Sequence, residues 1–367
     1  MTQRNFQRGP RTPEPRELEE VLSPRELERL FGRTRAPSSS PRLHLFLFGA
    51  TLVTTTIAGS LDAGVDPFSS PFAFVAGLPF SLTLLSILLF HEFGHYILAR
   101  RHGIPTSLPY FIPGLPILVG TFGAFIRMNG MPRTRAALFD VGAAGPWAGM
   151  VVAVPAVVVG LLLSEVRPLA DLGPIPEDFG VIYTFGNSLL FEMLSRVVLG
   201  VDPDSVTVML HPVAVAGWFG LFVTFLNLLP VGQLDGGHVV YALLGRGHRV
   251  IARVVLVVVV ALGLYGWQGW LLWAAMLAFV LKVDHPDTLD AHTPLDPFRR
   301  KAAWATIAMF VLVFMPVPLD VILPEDLPGR RPAVERRLEP SPRRGPAAGL
   351  TPVDVSIPVP AGVPRST

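Results

Sequence analysis

The sequence contains no cysteine, and charged residues make up only 16% of its 367 positions. The lack of cysteine excludes disulfides, a thiolate nucleophile and cysteine-ligated zinc, so any bound metal must be held by His, Asp or Glu. The charged fraction is well below the roughly 25% typical of soluble domains, and half of the residues are hydrophobic. The net charge of +2 is too small to indicate nucleic-acid binding. These deficits predict an integral membrane protein with the lipid bilayer as its solvent.

Long apolar runs separated by short polar connectors predict an all-α membrane protein with six to seven transmembrane helices. The predicted spans are residues 43–57, 72–99, 136–163, 211–229, 250–265, 267–283 and 302–318. If all of them cross, the basic connectors share one side of the membrane, which the positive-inside rule makes cytoplasmic. The crossing of 302–318 stays open, because it would put the arginine-rich tail on the opposite side.

Composition divides the chain into three predicted parts. Residues 1–42 are rich in Arg, Glu, Pro and Ser, and they predict a disordered cytoplasmic arm with at most a short amphipathic helix. Residues 43–319 carry the apolar runs and predict one membrane domain with its core at about 72–244. Residues 320–367 are rich in Pro and Arg and predict a disordered tail.

The stretch 104–128 is apolar but is interrupted by four prolines and three glycines. So many helix breakers exclude a regular spanning helix. The second half of the stretch is rich in β-branched and aromatic residues, so we predict a re-entrant β-hairpin or loop. A membrane tolerates such an element only where protein or a water-filled cavity shields its backbone.

The segment His91-Glu92-Phe93-Gly94-His95 lies near the end of the second predicted span. On a helix, His91 and His95 project from one face about one turn apart, which is a zinc-chelating geometry. Glu92 is offset by about 100° and can reach a water on the metal without being a ligand. The alternative is a structural pair of histidines, which leaves Glu92 unexplained in an apolar helix.

Asp235 is the candidate for the missing third ligand. It follows a long apolar run, precedes Gly236-Gly237 and has no basic neighbour in sequence. An unpaired carboxylate within a membrane costs roughly 2.5–3.5 kcal/mol even on the lenient insertion scale, and a cation would compensate it. We therefore predict one Zn²⁺ per chain, held by His91, His95 and Asp235, with Glu92 as general base and then general acid.

These motifs resemble those of the site-2 protease family of intramembrane zinc metalloproteases. His91–His95 and the segment from Asn227 through Pro230 to Asp235 are similar to its two defining motifs, and the segment 145–149 is similar to a third. The segments 120–124 and 211–218 resemble the branch with chloroplast and bacterial members that lacks an inserted PDZ domain. The resemblance implies that Asn227 helps to hold the scissile carbonyl.

The resemblance also implies the biological setting. We expect hydrolysis of peptide bonds in or beside the transmembrane segment of a protein substrate, as in regulated intramembrane proteolysis. We expect a bacterial inner (plasma) membrane location with the active site near its cytoplasmic side. A separate adaptor or a protease that cleaves first would be a further partner.

Several other residues are given supporting roles. The hairpin offers a strand edge to an unwound substrate helix, which makes it the predicted substrate-binding segment. Gly145, Pro230 and His238 are predicted to support the metal ligands, although the spacing of His238 from Asp235 would also allow it to be a ligand. The substrate-binding residues are Gly120, Thr121, Phe122, Gly123 and Ala124. The histidines assigned to solvated loops are His44, His102, His248, His285 and His292.

Two other functions remain open at the level of sequence. A different membrane zinc peptidase, acting on a prenylated or soluble-loop substrate, would use a glutamate as third ligand, for which Glu165 and Glu192 are the candidates. A non-proteolytic membrane zinc-binding scaffold or transporter would use Glu92 for binding or ion passage.

Overall fold

The computed structural model describes residues 40–130, 132–168, 182–200, 206–281 and 293–322, together with residues 283, 285, 286, 288 and 290. Most of the predicted arm, nearly all of the predicted tail and His292 lie outside the described residues. The chain forms two compact units. The larger, Met1–Pro176 and Tyr183–Val321, contains every helix given below, and the smaller contains only Ile182 and Ile322 of the described residues.

Helices dominate the described part of the chain. They are α1 (Pro41–Asp62), α2 (Pro71–Val75), α3 (Leu78–Arg101), α4 (Arg135–Leu162), α5 (Leu189–Leu199), α6 (Pro212–Asn227), α7 (Asp235–Leu244), α8 (His248–Tyr265), α9 (Gly269–Phe279) and α10 (Pro297–Val313). A one-turn 3₁₀ helix, Gly245–Gly247, joins α7 to α8. Proline in the first turn of α1, α3, α6 and α10 favours these starts, because its fixed φ suits a helix and its missing N–H needs no partner there.

Short strands form three two-stranded sheets: β1 with β2, β3 with β5, and β4 with β6. They are β1 (Tyr110–Pro113), β2 (Thr121–Phe125), β3 (Glu165–Pro168), β4 (Ile182–Phe185), β5 (Val206–Met209) and β6 (Leu319–Ile322). β1 and β2 are antiparallel, with Phe111 opposite Ala124 and an irregularity before Pro113. The predicted β-hairpin is therefore present, while its re-entry into a membrane stays a prediction.

Four segments are long and apolar enough to cross a membrane, by length and composition, among the described residues: Pro41–Asp62, Pro71–Arg101, Arg135–Leu162 and Asp235–Tyr265. The predicted six to seven spans are not confirmed. Helix α6 has 16 residues and α9 has 11, which correspond to about 24 and 17 Å at 1.5 Å per residue. Both are shorter than the roughly 30 Å of a bilayer's hydrocarbon core.

The centre of the larger unit is the packing of α4 against α3 and α6. Trp218, Leu221 and Phe225 of α6 are fully buried, in one apolar cluster with Ala153 and Val157 of α4. Helices that approach this closely need small residues at the contact, because there is little room for a side chain between the two backbones. Helices α3 and α6 also pack directly against each other, so the C-terminal end of α6 lies next to the middle of α3.

The hairpin is fixed to α1 at both ends. The Thr54 hydroxyl donates a hydrogen bond to the Gly120 carbonyl at 2.6 Å. At the other end, His44 Nδ1 donates to the Pro109 carbonyl at 3.0 Å. Gly120 has a φ of +78° and lies against the backbone of Thr54, so both the turn conformation and the close approach require glycine.

Candidate metal centre

His91 and His95 lie on the buried face of α3, one turn apart. Their exposed fractions are 4% and 8%, and their Nε2 atoms are 3.1 Å from each other. The helix is built from an apolar run of leucine and isoleucine, and it ends with Arg100 and Arg101 in its last turn, where positive charge is favourable. The two imidazoles are thus buried side by side, with their Nε2 atoms next to each other.

Asp235 joins the two histidines from a distant part of the chain. Its Oδ2 atom lies 3.2 Å from His91 Nε2 and 3.3 Å from His95 Nε2. It is the first residue of α7, directly after a tight turn that begins where α6 ends. Gly236 makes this turn possible, because a Cβ atom there would overlap the carbonyl of Leu228.

The three atoms form a triangle with the dimensions of a zinc site. Its sides of 3.1, 3.2 and 3.3 Å match the edge of about 3.3 Å in a tetrahedron with bonds of 2.0–2.1 Å. Among the described residues, this is the single group of three potential ligands with such a spacing. Two imidazoles and one carboxylate suit Zn²⁺ and leave its fourth position for water. The donor set therefore fits the predicted metal.

Glu92 lies beside this triangle without belonging to it. Its side chain is 7% exposed, and the backbone N–H of Ile126 lies near its carboxylate. Ile126 directly follows β2, which packs against α3, so the hairpin lies next to this carboxylate. Glu92 and Asp235 are both acidic and nearly buried, and a bound cation is the usual compensation for two such carboxylates in an apolar environment.

A backbone carbonyl orients His95. The Nδ1 atom of His95 donates a hydrogen bond to the Val141 carbonyl at 2.8 Å. A carbonyl can only accept, so Nδ1 carries the proton and the Nε2 lone pair faces the triangle. Gly145, one turn further along α4, leaves room for the imidazole, because a Cβ atom there would overlap His95 Nε2. The glycine-rich segment thus gives the ligand its space.

Asn227 and Pro230 lie where α6 gives way to α7. Asn227 ends α6, and its Nδ2 atom is 3.2 Å from His91 Nε2. An amide N–H group is thus next to the triangle. Pro230 is buried in the turn between the two helices and helps to set the position of Asp235. Because proline has no N–H group, it donates no hydrogen bond to the ligands.

His238 lies near the triangle but forms a different pair. Its Nδ1 atom is 2.8 Å from His285 Nε2, and it is not in the group of potential metal ligands found among the described residues. His285 Nδ1 contacts the Pro286 carbonyl, so His285 Nε2 accepts and His238 Nδ1 donates. The structure therefore gives His238 a role next to the ligands and not among them.

The assignment of histidines to solvated loops is wrong for three of them. His44, His248 and His285 are 7%, 0% and 2% exposed. Aromatic packing explains two of these positions, since His44 lies 4.1 Å from the Tyr110 ring and His285 stacks on Tyr241 at 4.4 Å. Sequence alone could not identify these contacts, because their partners lie 44 or more positions away.

The predicted substrate-binding residues all lie in the hairpin. Gly120 is in its turn, and the other four are the first residues of β2. Phe122 is 66% exposed, and Gly123 has a φ of +98°, with no atom near the place of a Cβ. In this two-stranded sheet, the edge of β2 that faces away from β1 has no strand partner among the described residues.

The two rival ligands do not approach the metal centre. Glu165 forms an ion pair with Arg167 at 2.9 Å, and Glu192 forms one with Arg196 at 2.6 Å. Both carboxylates are at least one-third exposed. The third ligand position is occupied by Asp235, which removes the structural basis for the glutamate-ligated peptidase.

Comparison with known proteins agrees with this geometry. The sequence model of peptidase family M50 matches residues 79–265. The chain is 40% identical over 173 residues to the probable zinc metalloprotease EGY1 of the Arabidopsis thaliana chloroplast, covering 47% of this chain and 30% of that protein. It is 31% identical over 174 residues to the probable zinc metalloprotease EGY2 of the same plant, covering 46% and 29%. The alignments thus span less than a third of these relatives, whose names place them in chloroplasts and lend no support to a bacterial inner membrane.

Proposed function

Because the chain belongs to peptidase family M50, the family of the site-2 proteases, we propose that it is a zinc-dependent intramembrane endopeptidase. It would hydrolyse peptide bonds in or beside the transmembrane segments of other proteins. One observation carries this proposal: His91, His95 and Asp235 meet beside Glu92, on two segments that are each long and apolar enough to cross a membrane. Hydrolytic groups at such positions would have access to a substrate helix within the bilayer.

His91, His95 and Asp235 would hold one Zn²⁺, which supplies Lewis acidity and lowers the pKa of a water toward about 7. The chain's own part begins with Glu92, which accepts a proton from the water as the water oxygen bonds to the scissile carbonyl carbon. When the carbon–nitrogen bond breaks, Glu92 gives that proton to the leaving nitrogen. The nearby backbone N–H of Ile126 would favour the charged carboxylate that accepts the proton.

Asn227 would stabilise the carbonyl oxygen of the scissile bond. Its amide group lies next to the imidazole of His91. A carbonyl oxygen placed beside the metal would therefore lie within hydrogen-bonding distance of this amide. Donors that are already aimed at the developing negative charge lower the barrier without a cost of reorganisation.

The hairpin would bind the substrate as an added strand. A transmembrane helix must unwind before its carbonyls become accessible, and the free edge of β2 offers backbone partners to the extended segment. The packing of β2 against α3 supports this, because a strand paired with β2 would lie close to the helix that carries Glu92. We propose a membrane-spanning protein as substrate, and a separate adaptor or an earlier protease as further partners.

The test is cleavage of transmembrane peptides by the purified protein in liposomes. We expect wild type to cut at least one peptide, and Glu92→Gln or treatment with a zinc chelator to abolish cutting. Glu192→Gln is the matched control, because this glutamate forms an ion pair on the surface, and it should cut like wild type. Zinc-loaded, folded wild type that cuts no peptide of a broad panel would favour the zinc-binding scaffold or transporter.

The hairpin's role is tested by photo-crosslinking in the inactive Glu92→Gln variant. A photoreactive phenylalanine analogue replaces Phe122, or in the control replaces Val197, which is 82% exposed on α5. Crosslinks to the substrate at position 122 and none at 197 are expected. Equal labelling at both positions would remove the hairpin from the proposal.

A further inference from the structure

Three segments of the chain meet at the carboxylate of Asp140 in α4. Arg299 donates two hydrogen bonds to it, from Nε to Oδ1 at 2.8 Å and from Nη2 to Oδ2 at 2.7 Å. His102, directly after α3, places its Nε2 atom 2.9 Å from Oδ2. The Asp140 side chain is 15% exposed. A two-pronged arginine–carboxylate pair with this little exposure has a fixed geometry and is among the stronger polar contacts in proteins.

Asp140 immediately precedes the residue that orients a metal ligand. Val141 is 2% exposed, and its carbonyl accepts the hydrogen bond from His95 Nδ1. The carbonyl direction is set by the α4 backbone, since Val141 has no polar side chain with which to adjust it. A rotation of this turn of α4 would therefore turn the acceptor away from His95.

Arg299 is itself held in place by the start of α10. Asp296 caps this helix by accepting hydrogen bonds from the N–H groups of Phe298 and Arg299, both at 3.0 Å. Its other oxygen accepts from Arg299 Nη1 at 2.6 Å. The guanidinium group is thus fixed between two carboxylates, one on its own helix and one on α4.

A second set of contacts joins α10 to α4 further along both helices. Trp147 Nε1 donates a hydrogen bond to Thr306 Oγ1 at 3.0 Å. Near the first contact, Ala303 and Leu295 pack with Phe139 of α4 and Val239 of α7 in one apolar cluster. Helix α10 therefore contacts α4, which orients His95, and α7, which begins at Asp235. It does so although it lies outside residues 79–265, which match the family model.

We propose that Arg299 is a positioning residue of the metal centre. Through Asp140 it fixes the turn of α4 that presents the Val141 carbonyl, and through that carbonyl it fixes the imidazole of His95. The inference rests on the proposed function, since it requires a metal at His91, His95 and Asp235. It gives α10 a role in metal binding, although α10 lies outside the segment that matches the family model.

The experiment measures zinc affinity of the full-length protein in detergent, by competition with a chromophoric chelator. Variants are Arg299→Gln, Arg299→Lys and Asp140→Asn, with Trp147→Phe as the control that removes the other polar contact between α10 and α4. Partners that orient a metal-bound histidine typically change affinity 10- to 100-fold, and Arg299 acts through two intermediates. We expect about a tenfold loss for Arg299→Gln and Asp140→Asn, partial rescue by Arg299→Lys, and unchanged affinity for Trp147→Phe.

Two further readouts separate positioning from loss of stability. The visible spectrum of Co²⁺-loaded protein should change in Arg299→Gln and not in Trp147→Phe, because it reports the ligand geometry. In a His95→Gln background, Arg299→Gln should cause no additional loss of affinity, because the residue through which it acts is gone.

The outcomes are distinct for the two levels of proposal. Wild type with zinc and unchanged affinity in Arg299→Gln would overturn this inference alone. The same is true if Trp147→Phe weakens binding as much as Arg299→Gln does. Folded wild type that binds no zinc would overturn the proposed function and this inference with it.

Discussion

Gly145 lies directly against the imidazole of His95, so closely that a methyl group at position 145 would overlap the Nε2 atom. This is the atom that faces Asp235 and would bind the metal. Gly149, one turn further along α4, lies against His91 with more room, since a Cβ atom there would be 3.3 Å from Nδ1. The two glycines thus differ in how far a small side chain would displace the ligand next to them.

Gly145→Ala should therefore abolish stoichiometric zinc binding and cleavage, since either His95 or α4 must move. Gly149→Ala should cause a smaller loss, because a shift of a few tenths of an ångström accommodates it. Zinc content by mass spectrometry and peptide cleavage check both variants. Equal zinc content in Gly145→Ala and wild type would contradict the geometry of the triangle.

The identity of the third ligand is tested by comparing three side chains. Asp235→Asn should lose bound zinc, because an amide oxygen carries no charge to compensate the cation. Glu192→Gln and His238→Asn should keep one zinc per chain, because one residue forms a surface ion pair and the other bonds to His285. Zinc loss in His238→Asn without unfolding would make His238 a ligand, and zinc loss in Glu192→Gln would revive the rival peptidase.

Asn227→Ala should retain zinc and lower kcat by about 100- to 1000-fold, the usual effect of removing one donor to a developing oxyanion. KM should change little, because the contact strengthens in the transition state. The control is Thr224→Val, one turn earlier on α6, where the hydroxyl donates to the Gly220 carbonyl of the same helix. Loss of zinc in Asn227→Ala would instead indicate that the amide serves to hold His91.

Thr54→Val should loosen the hairpin by removing the hydrogen bond to the Gly120 carbonyl, which is worth about 1 kcal/mol. Hydrogen exchange should become faster at residues 114–120, and cleavage should fall. Thr51→Val is the matched control on the same helix, since its hydroxyl bonds to the Leu47 carbonyl within α1. The same exchange rates in both variants would show that this hydrogen bond does not hold the hairpin.

The metal ligands could be predicted from sequence because their side chains have a recognisable chemistry and spacing. The groups that position these ligands could not be predicted. The spacing of His91 and His95 and the isolated acid at Asp235 were sufficient to predict the triangle. The backbone group that orients His95, the Val141 carbonyl, has no sequence signature. The pair of Asp140 and Arg299 joins positions 159 residues apart, and neither residue stands out in its local context.

The fold shows a similar division. Helix breakers at 104–128 predicted the hairpin, and apolar runs predicted most helices to within a few residues. The start of a helix at Asp235 was not predicted, because Gly236 and Gly237 are poor helix formers in isolation. The folded structure nevertheless requires glycine at both positions, because a Cβ atom there would overlap the carbonyls of Leu228 and Gly232. The predicted six to seven spans are not confirmed, since four segments among the described residues are long and apolar enough to cross a membrane.

The triangle's corners come from α3 and α7, with His91 and Asp235 separated by 144 positions. A metal bound between them would therefore act as a crosslink across much of the chain, and its binding free energy would add to the stability of the folded state as RT ln(1 + [Zn]/Kd). The free energy of unfolding would therefore increase with the concentration of free zinc. Substitutions that lower the zinc affinity should therefore also lower the melting temperature of the zinc-loaded protein, even where they remove no contact between helices.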